Sequence, residues 1–96
     1  MNSQATDSVE FVWVFNGVHS PFPSGVFSTR EGAEIWIEKE LLSGTLTRYP
    51  LNIGAYEWSI AIDAFKPKRE DHKTPEFIGK FSGGEEHYHF EDGHPA

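Results

Sequence analysis

The segment Val9-Glu-Phe-Val-Trp-Val-Phe15 does most to narrow the folds open to this chain. It is almost continuously apolar and rich in β-branched and aromatic residues, the mark of a central strand covered on both faces. Asn16-Gly17 follows at once and is a strong turn signal. Pro21 and Pro23 keep the next residues out of a ladder, because proline has no amide hydrogen to donate. Ser24 to Phe27 can return as a short second strand, so residues 9 to 27 read as a hairpin with a long loop.

A helix follows. Ser28-Thr29-Arg30-Glu31 fits a capping box with Ser28 as the cap. Ala33, Trp36, Ile37 and Leu41 recur at helical spacing while Glu34, Glu38 and Lys39 fall toward water, and Gly44 supplies a left-handed stop. Thr45 to Leu51 reads as a strand. Tyr56 to Phe65 fits two periods: apolar residues alternate at 56, 58, 60 and 62, and Trp58, Ala61, Ile62 and Phe65 form a helical stripe. The alanines at 55, 61 and 64 favour the helix. Lys66 to Pro75 reads as a polar loop, in which Lys66, Lys68 and Arg69 are solvated and His72 has no evident partner. Glu76 to Phe81 and His87 to Glu91 read as two strands joined at Ser82-Gly83-Gly84.

The expected class is α+β, an antiparallel sheet of about five strands with one to two helices packed on it. A flexible tail over 1–8, a single domain over 9–93 and a short tail over 94–96 complete the organisation. Trp13, Trp36 and Trp58 fall on apolar faces and are expected in the core. With 96 residues, 38% of them apolar and 15% aromatic, the chain can build one core and has no room for a second domain.

Composition excludes several functions. The chain has no cysteine, so it has no disulfide framework, no thiolate zinc site and no cysteine nucleophile, a pattern that fits the cytoplasm. No stretch approaches the roughly 20 apolar residues of a membrane span, and the first ten residues lack a cationic start followed by an apolar run. The expectation is a soluble, unprocessed, cytoplasmic protein with no membrane partner. Net charge is -7, distributed as -4 over residues 1–42, +2 over 43–69 and -5 over 70–96. Nucleic acid is therefore a poor partner, and a basic protein is a good one.

The C-terminal stretch Glu85-Glu-His-Tyr-His-Phe-Glu-Asp-Gly-His94 concentrates the candidate chemistry. As a strand it places Tyr88 and Phe90 on one side and His87, His89 and Glu91 on the other. Two readings follow. The first is an acidic surface in which Glu85, Glu86, Glu91 and Asp92 meet a basic partner and His87 and His89 add contact area. The second is a metal site formed by His87 and His89 with Glu91 or His94. Positions 87 and 91 lie roughly 13 Å apart along an extended strand, too far for one ion unless the strand bends. Phe22, held between Pro21 and Pro23, is a candidate interface anchor.

Catalytic groupings are weak. His19 and the nearby serines lack a Gly-x-Ser-x-Gly elbow, and Gly83-Gly84 lacks the Lys-Ser/Thr of a phosphate loop. Glu85-Glu86 and Glu91-Asp92 are adjacent pairs whose side chains diverge on a strand and frame no bond. No catalytic residue and no cofactor are expected, and the chain is not expected to be an enzyme.

The ordered motifs Trp13-Val-Phe-Asn-Gly17, Phe22-Pro-Ser-Gly-Val-Phe27, Ala33-Glu-Ile-Trp-Ile37, Leu42-Ser-Gly-Thr-Leu46, Tyr49-Pro-Leu51, Tyr56-Glu-Trp58, Phe65-Lys-Pro-Lys68, Pro75-Glu-Phe-Ile78 and Glu86-His-Tyr-His89 with Glu91-Asp-Gly93 resemble a small bacterial domain family of unknown function. The resemblance covers about residues 11 to 93 and implies a fold without an activity. In general type, a small acidic α+β chain without a catalytic signature, the protein is similar to immunity proteins that neutralise bacterial toxins. The expected function is accordingly that of a non-enzymatic acidic binding protein, an immunity or antitoxin-type inhibitor that occludes a basic, nuclease-like toxin. The alternative is a small metal-binding protein using the C-terminal His-x-His strand.

Overall fold

The computed structural model describes residues 9–83 and 85–96. The elements in chain order are β1 (Phe11–Gly17), β2 (Pro23–Phe27), α1 (Arg30–Glu40), β3 (Gly44–Pro50), α2 (Ala55–Ala61), a 3₁₀ turn (Glu70–Lys73), α3 (Pro75–Gly79), β4 (His87–Glu91) and β5 (His94–Pro95). The strands form one antiparallel sheet in the order β2-β1-β3-β4-β5, so the chain is α+β as expected. The first-drawn apolar run becomes β1, one strand in from the edge. Among the described residues, no helix is long and apolar enough to cross a membrane. The chain divides into two compact units, residues 11–49 with 85–96 and, among the described residues, 9–10 with 50–83.

In the first unit α1 packs on one face of the sheet. Its buried residues Ala33 and Ile37 meet Phe15, Leu46 and Phe90, each drawn from a different strand. Trp36 joins them half-buried, edge-on to Phe15 at 5.6 Å and tilted on Phe27 at 5.2 Å, while Trp13 packs against the margin. The period of two in each strand sorts the rest: Phe11, Trp13 and Phe15 share the helix side with Leu46, Arg48, Tyr88 and Phe90. Val12, Val14, Thr45, Thr47, Tyr49, His87, His89 and Glu91 therefore belong to the opposite, distal face.

Both ends of α1 differ from expectation. The cap is Thr29, not Ser28: Thr29 is extended (φ -133°, ψ 151°) and its hydroxyl accepts from the Gly32 amide at 3.0 Å. Gly32 thereby occupies the third helical position and has no side chain to reach back, so the capping box does not close. At the other end Leu41, not Gly44, turns left-handed (φ 58°, ψ 46°), with Leu41 N–H donating to Glu38 O and Leu42 N–H to Ile37 O. This is a Schellman closure around a leucine. Leu41 is consequently 64% exposed rather than part of the buried stripe, and Leu42 takes its place against the core.

The C-terminal hairpin also differs. Residues 76–81 form α3 and its exit instead of a strand, because Thr74 caps the helix by accepting from Phe77 N–H at 3.2 Å and Pro75 opens it at the position where proline lacks nothing. Gly84, placed in the expected turn, lies outside the described residues, as does the expected tail over 1–8. The fifth strand is His94–Pro95, where a C-terminal tail was expected. It pairs with β4 as Phe90↔Pro95 and Glu91↔His94, across Asp92 (φ 52°) and Gly93 (φ 88°), the paired positive angles of a two-residue hairpin turn.

The second unit is built on aromatic contact. The expected helix is α2, shorter than the stripe suggested: Ala64 and Phe65 donate to Ser59 O at 2.8 and 3.2 Å, turning the chain out of the helix so that Phe65 folds back on Tyr56 at 5.9 Å. Tyr56, Trp58 and Ser59 are buried. Phe65, Phe77 and Phe81 lie within 4.9 to 6.0 Å of one another. His72, expected to lack a partner, stacks on Phe77 at 4.8 Å, and its Nδ1 accepts from Lys68 N–H at 3.1 Å. Each such aromatic pair adds about 0.5–1.5 kcal/mol beyond area burial, a useful increment where helices are only five and seven residues long.

Candidate partner-binding face

His87, His89 and Glu91 all fall on the distal face and are exposed, as the alternation in β4 requires. Directly across the ladder stand Thr47 and Thr45. Thr45 Oγ1 lies 3.3 Å from His89 Nδ1, and the two imidazoles meet edge to face at 5.2 Å. His87 Nδ1 is 2.7 Å from the Glu85 carbonyl, which can only accept, so that nitrogen carries the proton. His94 faces Glu91 from β5.

The metal set His87, His89, Glu91 and His94 is not gathered. Among the described residues no three histidine, aspartate or glutamate side chains come together around a point that could hold an ion. The strand stays extended, and Nδ1 of His87 is already committed to the Glu85 carbonyl.

The expected acidic row is divided. Glu91 and Asp92 sit where β4 turns into β5, and Ser43 ties this turn to the loop after β1: its carbonyl accepts from Val18 N–H at 3.0 Å and its Oγ from Asp92 N–H at 2.9 Å. Phe22 belongs to that same β1–β2 loop and is 73% exposed, held by Ser20, whose hydroxyl donates to the Phe22 carbonyl at 2.9 Å. A shallow cavity of about 500 Å³ opens beside the turn, lined by Asn16, Val18, Ser43, Thr45, His89 and Glu91 among others. Phe22, His89, Glu91 and Asp92 thus share one end of the sheet.

Glu85 and Glu86 lie at the other end of β4. Glu86 is turned to the helix side, where its carboxylate accepts from the Tyr88 hydroxyl and lies 3.8 Å from Arg48 Nε. Arg48 caps the Phe11 ring at 4.0 Å, and Arg30, bonded to Glu34 at 2.9 Å, lies over the Tyr88 ring. The Glu86 carboxylate holds the Tyr88 phenol above its ordinary value, and Glu34 does the same for the Arg30 guanidinium. Glu86, though exposed, is therefore engaged in a charge-aromatic chain with Tyr88 and Arg48. Glu85 is half-buried, and burial pushes its carboxyl up against the opposing pull of Arg48.

A family described as Domain of unknown function (DUF7710) matches residues 12–96, a span that holds all the helices and, but for Phe11, all five strands. The chain belongs to that family. The DUF7710 match runs through the β4–β5 turn and the cavity beside it, so the whole candidate face lies inside the family's domain. No curated protein and no solved structure matches the chain.

Asn16, Ser43 and Thr45 were not candidates from sequence. Thr45, Thr47 and Tyr49 alternate with Leu46 and Arg48, which was the available signal for a distal polar row. Nothing local marks Ser43, whose partner is 49 residues away.

Proposed function

We propose that the protein is a non-enzymatic acidic binding protein that acts in the cytoplasm as an immunity or antitoxin-type inhibitor, occluding a basic, nuclease-like bacterial toxin. One observation carries this reading: at one end of the sheet His89 and Glu91 line a cavity, with Asp92 in the adjoining turn and the exposed Phe22 ring in the β1–β2 loop at the same end, and residues 85–96 hold four side-chain carboxylates and no lysine or arginine. An aromatic anchor beside an acidic rim suits a partner whose surface is cationic because it handles a polyanion. Glu91 and Asp92 would pair with lysines or arginines, Phe22 would fill a partner depression, and inhibition would follow from covering the toxin's nucleic-acid surface. The division of the acids refines the expected contact set. Glu91 and Asp92 are free for a partner, whereas Glu86 supports the fold.

The test is association of the full chain with nuclease-toxin domains encoded beside it, followed by stopped-flow or surface plasmon resonance across a salt series. Steered association should slow at least about tenfold between roughly 0.05 and 0.5 M salt, since the Debye length falls well below 10 Å over that range. Glu91→Lys should lower the on-rate and nuclease inhibition, and Phe22→Ala should raise the off-rate. Salt-independent association, or full inhibition by Glu91→Lys, would sink the proposal.

A further inference from the structure

The distal face of β4 carries a pair of histidines whose arrangement contact area alone does not explain. His87 and His89 stand two residues apart on an extended strand, so both rings rise from the same face, and both are exposed. Their ladder neighbours are Thr47 and Thr45, small enough to leave the rings room, and the ring centroids lie 5.2 Å apart. Two imidazoles bound through Nε2 to one tetrahedral ion at about 2.0–2.1 Å have centroids roughly 5 Å apart, so the spacing matches what a shared ion requires.

A second observation concerns the opposite nitrogens. His87 Nδ1–H donates to the Glu85 carbonyl at 2.7 Å, which leaves Nε2 of the neutral ring with a bare lone pair. Metal-binding histidines hold their other ring nitrogen in this way, donating to a carbonyl or carboxylate that fixes the tautomer and the ring orientation. His89 is held alike: its Nδ1 lies 3.3 Å from Thr45 Oγ1, and a hydroxyl accepts as readily as it donates. Each ring thus makes its hydrogen bond through Nδ1 and keeps Nε2 for a ligand.

We propose that His87 and His89 chelate a divalent transition ion of the zinc or copper type through their two Nε2 atoms, with water in the remaining positions. This two-ligand site needs neither Glu91 nor His94, which among the described residues are not gathered with the pair. Imidazole selects zinc, nickel and copper over magnesium and calcium, which prefer oxygen. An anion is the rival ligand for paired histidines. The net charge of -7 and the Glu91 carboxylate on the same face repel an anion and attract a cation. The one basic residue in the five strands, Arg48, lies on the helix side.

The experiment titrates untagged, ¹⁵N-labelled full chain with Zn²⁺ and, separately, with Mg²⁺, following the imidazole nitrogens. Zn²⁺ should saturate shifts at Nε2 of His87 and His89, and Mg²⁺ should move neither. With one imidazole on the ion, the other binds intramolecularly, so His87→Ala and His89→Ala should each weaken zinc binding at least about tenfold. Both side chains are exposed, so these variants should unfold at the wild-type temperature. His94→Ala should keep the zinc affinity within about twofold, and Glu91→Gln, which removes only a neighbouring exposed charge, within about threefold. Wild-type affinity in either single variant of the pair, an equal response to Mg²⁺, a loss in His94→Ala matching that in His89→Ala, or shifts that do not saturate at these two rings would overturn the assignment.

Discussion

Gly93 donates its amide to the carbonyl of Leu42 at 2.8 Å, fastening the β4–β5 turn to the residue that follows the end of α1. Position 93 is constrained twice: its φ is +88°, and a Cβ there would stand 3.1 Å from Leu41 Cα and 3.2 Å from Glu38 O. Gly93→Ala should therefore destabilise the fold by about 1–3 kcal/mol, read as a lower midpoint in denaturant unfolding. Asparagine tolerates the left-handed angle but keeps the Cβ, so Gly93→Asn should not restore stability. Recovery by asparagine would mean that backbone angle alone matters at this turn.

Leu41 presents the converse case, a bulky residue in the left-handed region (φ 58°) with most of its side chain in solvent. Leu41→Gly relieves that conformation and removes little buried area. A gain of about 0.5–1 kcal/mol is expected after the extra unfolded-state freedom of glycine is subtracted. Thermal unfolding checks it, and a loss of stability would show that Leu41 packs more tightly than its exposure suggests.

Phe90 and His89 are neighbours on β4 with opposite fates. Phe90 is 6% exposed among Phe15, Ala33, Ile37 and Leu46, so Phe90→Ala should cost about 3–5 kcal/mol, a large share of the stability of a chain this size. His89→Ala should change stability by less than about 0.5 kcal/mol, since its bond to Thr45 is long and exposed. Paired urea titrations decide the matter.

Glu85 makes stability depend on pH. Burial raises its carboxyl above the ordinary value, so the folded protein binds this proton more tightly than the unfolded chain does. The stability linked to the group is complete below the unfolded carboxylate value and is lost as pH rises through the folded one. Glu85→Gln, permanently neutral, should therefore be more stable than wild type at pH 7, and the difference should vanish on acidification below the carboxylate range. The opposing charge of Arg48 keeps the gain small. A variant less stable at pH 7 would mean that Arg48 outweighs burial.

Much of the sheet was legible because its signals are local. The apolar run of β1, the helical spacing of Ala33 and Ile37, and the alternation of His87 to Glu91 each survive in the structure. Two misreadings had visible signals. Thr74-Pro75-Glu76 is a helix start, outweighed by the apolar character of Phe77, Ile78 and Phe81. Asp92-Gly93 is a hairpin dipeptide, and β5 is too short to show any period after it. The same period of two places Glu86 with Tyr88 and Phe90, a separation obscured by reading the acids as one block. The Ser43 tie was not legible, since it depends on residues that only tertiary folding brings together.

Both outer strands of the sheet carry a proline, Pro23 in β2 and Pro95 in β5. Neither can donate an amide hydrogen, so each margin presents an interrupted row to any extended chain that approaches it. A copy of the protein arriving edge-on finds no continuous ladder to lengthen. Polymerisation through sheet growth is thereby discouraged at both sides.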